Sequence, residues 1–128
     1  MTQAVLSEGL LAIEPNLRYV AVNRNGRISE MVQNSPTHNP AETDRLEELI
    51  VNPVILELAE RRGRLDLGGA LYVIIRYGPQ YQAIFHYGDG HVSIGIDLDA
   101  DPVRVVEAVH RHLGLEGEAF SRETSIAN

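Results

Sequence analysis

The sequence predicts a protein of the α/β class, α+β type: an antiparallel sheet with helices on both faces, in the order α-β-β-α-β-β-β-α. Three observations carry this. Asn25-Gly26 lies between two runs of strand-forming residues, the signal of a tight hairpin turn. A long apolar helical segment follows it. Three further strands are then joined by Gly78-Pro79-Gln80 and Gly88-Asp89-Gly90, turns too short to hold a crossover helix, so neighbouring strands must run antiparallel.

Taken in order, Ala4, Val5, Leu6, Leu10, Leu11 and Ile13 supply the apolar side of a short first helix, interrupted by Gly9 and ended before Pro15. Leu17 to Asn23 and Arg27 to Val32 are the hairpin strands, because Asn25-Gly26 tolerates the positive φ angles of a type I′ turn. The polar QNSPTH stretch, residues 33–38, reads as a loop. Asn39 caps a helix beginning at Pro40, with Glu42 completing a capping-box-like arrangement, and the helical pattern runs to about Arg62, with Gly63 as its stop. Pro53 inside it removes a backbone donor and crowds the carbonyl of Leu49, so a kink or a restart capped by Asn52 is expected.

The meander is Leu71 to Tyr77, Tyr81 to Tyr87 and His91 to Leu98. In its last strand Val92, Ile94, Ile96 and Leu98 share one face and His91, Ser93, Gly95 and Asp97 the other, where Gly95 would admit a closely packed helix. Asp101 before Pro102 is an N-cap followed by proline at N1. Val103, Val106, His110 and Leu113 form the stripe of a last helix that stops at Gly114, and Glu107 with Arg111 marks its solvent side. Residues 1–114 read as a single domain and 115–128 as a flexible tail.

From Leu49 to Ala59 (LIVNPVILELA) only Asn52 and Glu57 are polar, so apolar side chains point around nearly the whole circumference. One sheet covers one side of such a helix, and something else must cover the rest. The chain's own loops or a second copy would do so; a chain of 128 residues has little material for a third layer, which favours the second copy.

Composition removes many chemistries. With no cysteine and no lysine, all 11 cations being arginine, the chain has no thiol nucleophile, thiolate metal site, Schiff-base lysine or P-loop lysine. A net charge of −7 would repel a phosphate backbone, so nucleic acid is not an expected partner. No apolar run is long enough to span a bilayer and the N-terminus lacks a basic signal region, which points to the cytoplasm.

The remaining polar constellations have structural explanations. Asp97, Asp99 and Asp101 resemble a metal or phosphotransfer run, but an EF-hand starting at Asp97 would need glycine at Pro102 and glutamate at Ala108; ending a strand and capping a helix explains the run. His86 and His91 flank a turn and offer two ligands where zinc takes three or four, so they read as exposed turn histidines. His110 and His112 diverge on a helix and read as packing and surface residues. Ser93 lacks a G-x-S-x-G elbow and lies within an antiparallel strand. Tyr72, Tyr77, Tyr81 and Tyr87 suit strand propensity, an interface or a ligand pocket. No catalytic residue, metal ligand or cofactor site is expected.

The segments LRYVAVNRNGRISEMV and GALYVIIRYGPQYQAIFHYGDGHVSIGIDLDADPVRVVEAVHRHL resemble the first hairpin, with its Asn/Asp-x-x-Gly turn, and the meander and last helix of the roadblock family. That family is named for the roadblock-type dynein light chain and is related to the profilin-like and longin-like folds. The resemblance, over most of residues 3–113, implies a five-stranded antiparallel sheet and a homodimer in which long helices pack together and third strands meet edge to edge. It would place Ile50, Val51, Val54, Ile55 and Leu58, with Leu71, Tyr72 and Ile74, at or near the dimer interface. It also implies a non-catalytic scaffold or regulator of a partner such as a Ras-like small GTPase. Pro53, the QNSPTH loop and the tail depart from the family pattern. The alternative is a small-molecule-sensing domain of profilin-like or PAS-like type with a pocket between sheet and helices.

Overall fold

The computed structural model describes residues 5–33 and 42–115. Helix α1 (Val5–Ile13) leads into strands β1 (Leu17–Arg24) and β2 (Arg27–Gln33). Asn25 and Gly26 turn between them at φ of 57° and 77°, the paired positive values that a type I′ hairpin requires. Helix α2 (Glu42–Leu46) passes through one π-helical turn (Glu47–Val51) into α3 (Asn52–Asp66). Strands β3 (Val73–Arg76), β4 (Tyr81–Tyr87) and β5 (Gly90–Ile96) and helix α4 (Pro102–Leu113) complete the chain. The strands form one antiparallel five-stranded sheet in the order β2-β1-β5-β4-β3, leaving β2 and β3 at its edges.

Strand alternation sends two sets of side chains to opposite faces. Val20, Val22, Ala83, Phe85, Val92 and Ile94 pack with Leu10 of α1 and Val105, Val106 and Val109 of α4 into the main core. On the other face Tyr19, Asn23, His91 and Ser93 meet the α2–α3 helix. Two buried carboxylates pin α1: Glu30 of β2 accepts the Ser7 N–H at 2.8 Å, and Glu14 pairs with Arg104 of α4 at 3.2 Å. Among the described residues no helix is long and apolar enough to cross a membrane.

Several elements differ from the sequence expectation. The first helix is continuous through Gly9, since one glycine costs less than its packing returns. The long helix runs past Gly63 to Asp66 and ends at Gly68 and Gly69, whose φ values are 80° and 88°. Gly63 instead makes room for the returning chain: a Cβ there would lie 2.5 Å from the Gly69 carbonyl oxygen. Asn52 is helical rather than a cap, at φ −65°, and its N–H reaches back to the Glu47 carbonyl across the π turn. The wide turn lies directly before Pro53, where the ring would crowd a regular α-helical carbonyl. A Cβ at Gly95 would lie 3.0 Å from Gln80 Nε2 and 3.1 Å from Tyr19 Cβ, so the glycine makes room for these two side chains.

Strand β3 is shorter than expected because only Val73–Arg76 find partners on β4. In α4 Asp101 caps as expected, accepting from the Val103 and Arg104 N–H groups at 3.0 and 3.5 Å, and Gly114 ends the helix at φ 75°. Val103 itself is exposed; the buried stripe runs through Val105, Val106, Val109 and His110. The expected Asn39 cap, most of the QNSPTH loop and nearly all of the tail lie outside the described residues.

Candidate functional site

The α2–α3 helix buries polar residues and leaves an apolar stripe exposed. Toward the sheet it presents Glu48 and Asn52 along with Leu56, all buried, while the buried Glu60 accepts the Ala70 N–H at 2.9 Å where the chain returns from the helix. Away from the sheet, Leu46, Ile50, Val54 and Leu58 are 51%, 56%, 51% and 64% exposed, and Leu65 is 78% exposed. Steps of four residues drift by about 40° each around a regular α-helix. The wider π turn between Leu46 and Ile50 offsets part of that drift and straightens the stripe.

Beneath the stripe the Glu48 carboxylate is fully buried and gathers donors from two strands. Tyr19 donates from its hydroxyl to Oε2 at 2.7 Å, and Asn23 from Nδ2 to Oε1 at 3.0 Å. His91 Nε2 lies 3.1 Å from Oε1, and the Ser93 hydroxyl lies 2.7 and 2.6 Å from the two oxygens. Asn52 donates to Ser93 Oγ at 3.3 Å. Burial raises the carboxyl, but the bonds from His91, Ser93 and Tyr19 outweigh it and hold Glu48 below its ordinary value, as an anion. Burial, followed by that negative charge, pushes the Tyr19 phenol well up, so it remains a donor.

This cluster of serine, histidine and glutamate does not have the layout of a hydrolytic triad. Ser93 donates to the carboxylate rather than to His91, and its hydroxyl is fully buried. The arrangement fastens the helix to the sheet at one register.

The residues singled out in the sequence are distributed as follows. Ile50, Val54 and Leu58 are brought together on the exposed stripe, with Val51 and Ile55 half-buried beside them. Leu71 is exposed just before the β3 edge, whereas Tyr72 and Ile74 pack partly buried against the α4-side core. The Tyr72 hydroxyl donates to Glu107 at 3.2 Å, and its ring meets His110 edge-on, as Phe85 does. His86 and His91 pair across β4 and β5, but His91 is buried against Glu48 instead of being an exposed turn residue. Asp97 pairs with Arg18 at 3.4 Å. Glu48 escaped the sequence reading because LEEL resembles a solvated helix start. The available signal was the polar alternation of Tyr19, Asn23, His91 and Ser93 on a strand face that a helix must cover.

No family model and no curated relative matches the sequence. Solved structures do match. A Roadblock/LC7 domain from Streptomyces avermitilis is similar at a TM-score of 0.57 and 15% identity, over 86% of this chain and 96% of that one. The fold is a roadblock fold. The gliding protein MglB from Thermus thermophilus matches this chain at a TM-score of 0.58 and 16% identity, over 96% of it and 86% of MglB. A structure of MglB with a tetrameric arrangement reaches 0.62 at 16% identity, over 98% and 88%. Within the roadblock fold of this chain, the exposed stripe lies on the long helix and Glu48 lies directly under its first turns.

Proposed function

We propose that this chain is a cytoplasmic, homodimeric interaction module, a non-catalytic scaffold or regulator of a partner protein of the Ras-like small GTPase kind. One observation carries the reading: the stripe of Leu46, Ile50, Val54 and Leu58 on the long helix, half or more exposed at every position. Single exposed apolar residues are ordinary, but a contiguous helical stripe of them is a contact surface. A second copy placed on it would bury helix against helix, with Val51 and Ile55 at the flanks. Leu71, Tyr72 and Ile74 lie in the segment that forms or enters the β3 edge, where the second copy's β3 would approach. The roadblock resemblance supports self-association, as does the tetrameric arrangement of MglB, and the small GTPase as partner follows from that resemblance.

Light scattering on a size-exclusion column at micromolar concentration tests the assembly. The wild-type chain is expected at twice its monomer mass, and the Ile50→Glu, Leu58→Glu double variant at monomer mass with unchanged circular dichroism. A wild-type monomer with a complete fold would overturn the proposal. Titration with nucleotide-loaded Ras-like GTPases from the same genome tests the partner.

A further inference from the structure

A cleft of about 240 Å³ opens at the end of the sheet where the β1–β2 turn, the β4–β5 turn and the long helix converge. Its walls include Asn23 near the end of β1 with Gly26 of the first turn, His86 of β4 with Asp89 of the second turn, and Leu49 and Pro53 from the helix. Glu48 and His91 line it deeper, Leu56 adds apolar surface, and Glu57 stands exposed on the helix side. Three acidic residues therefore line the cleft, and among the described residues no arginine does. The Arg61 that pairs with Glu57 at 2.6 Å lies along the neighbouring groove.

An acidic lining alone is ordinary on a chain of net charge −7. Asn23 adds a separate fact. It is 3% exposed, its amide nitrogen is committed to Glu48 and within 3.1 Å of His91, and its carbonyl Oδ1 finds no hydrogen-bond partner among the described residues. A buried acceptor left without a donor is costly, and a donor arriving through the cleft would satisfy it.

We propose that this cleft binds a guanidinium or primary ammonium group carried on a slim apolar stem. The head brings N–H donors for Asn23 Oδ1 and a positive charge for Glu48, Glu57 and Asp89; the stem lies against Leu49, Pro53 and Leu56. The volume is below that of a drug-sized pocket and suits one such group. A divalent metal is a poor alternative, since among the described residues no three histidine or carboxylate side chains converge as ligands. The site is independent of the dimer reading, because the stripe residues Ile50, Val54 and Leu58 do not line it.

The test is amide chemical-shift titration of the full chain with agmatine, putrescine and Nα-acetyl-arginine methylamide, with choline as a cation lacking N–H donors. Saturable shifts centred on Gly26, Leu49 and Gly90 are expected below roughly 10 mM, the range for a ligand of this size. Asp89→Asn with Glu57→Gln, both exposed rim positions, should weaken binding about fivefold while leaving the spectrum of the fold intact. Binding of agmatine or putrescine alone identifies a free amine as the ligand; comparable binding of the capped arginine identifies an arginine side chain of a protein. Equal shifts with choline, no saturation with any of the three, or unchanged affinity in the rim variant would overturn the proposal.

Discussion

A carboxylate withdrawn from water is costly unless donors replace the hydration it loses. At Glu48 the replacement comes from Tyr19, Asn23, His91 and Ser93, with no arginine among these contacts. Truncation would leave several buried donors facing a void, so Glu48→Ala is expected to lower stability by about 3–5 kcal/mol in urea unfolding. Glu48→Gln should cost less, because its carbonyl still accepts while its NH₂ opposes donors. Protonation follows the same logic. Glu48 and Glu14 are both held below the usual 4.5, so their stabilisation is complete above that value and is lost as pH falls through their lower folded values. Thermal melts from pH 7 to 3 should show a loss of stability confined to the acid limb, and Glu48→Gln should flatten it. Sequence patterning alone did not expose this residue, because its partners lie 25 to 45 positions away.

At the scale of elements, local chemistry is decisive where it acts over a few residues. The α4 cap is such a case: Asp101 holds two N–H groups of the first turn, and Asp101→Ala should cost about 1 kcal/mol in the same unfolding assay while Asp101→Asn retains most of the stability. The Asn25-Gly26 hairpin, the Gly114 stop and β4 at Tyr81–Tyr87 were equally readable from their own residues. The long helix was not. Pro53 announced a disturbance, but whether it kinks the helix, splits it or is absorbed in a π turn depends on what anchors the preceding turn, and that anchor is Glu48 on the sheet.

For the whole molecule, the consequence is a helix that buries Glu48 and Asn52 against the sheet and leaves an apolar stripe outward. Glu48 and Asn52 fix the inner register, and the same rotation presents Ile50, Val54 and Leu58 outward. If a second copy covers that stripe, folding and association are linked by mass action. The melting temperature of the wild-type chain should then rise as its concentration is raised tenfold, and that of the Ile50→Glu, Leu58→Glu variant should not. Calorimetry at two concentrations reads this directly.

By itself the sequence determined the class, the antiparallel order and the helix that its own sheet covers on one side only. These follow from spacing: period two in the strands, turns too short for a crossover, and apolar residues on every side of LIVNPVILELA. Tertiary structure alone decided which side of that helix stays exposed, that Glu48 is buried at its root, and that Asn23, which lines a cleft, keeps a buried acceptor without a partner among the described residues. Each depends on residues far apart in the chain meeting at one point, and a buried charge chooses its place by the donors gathered there, which no local pattern records.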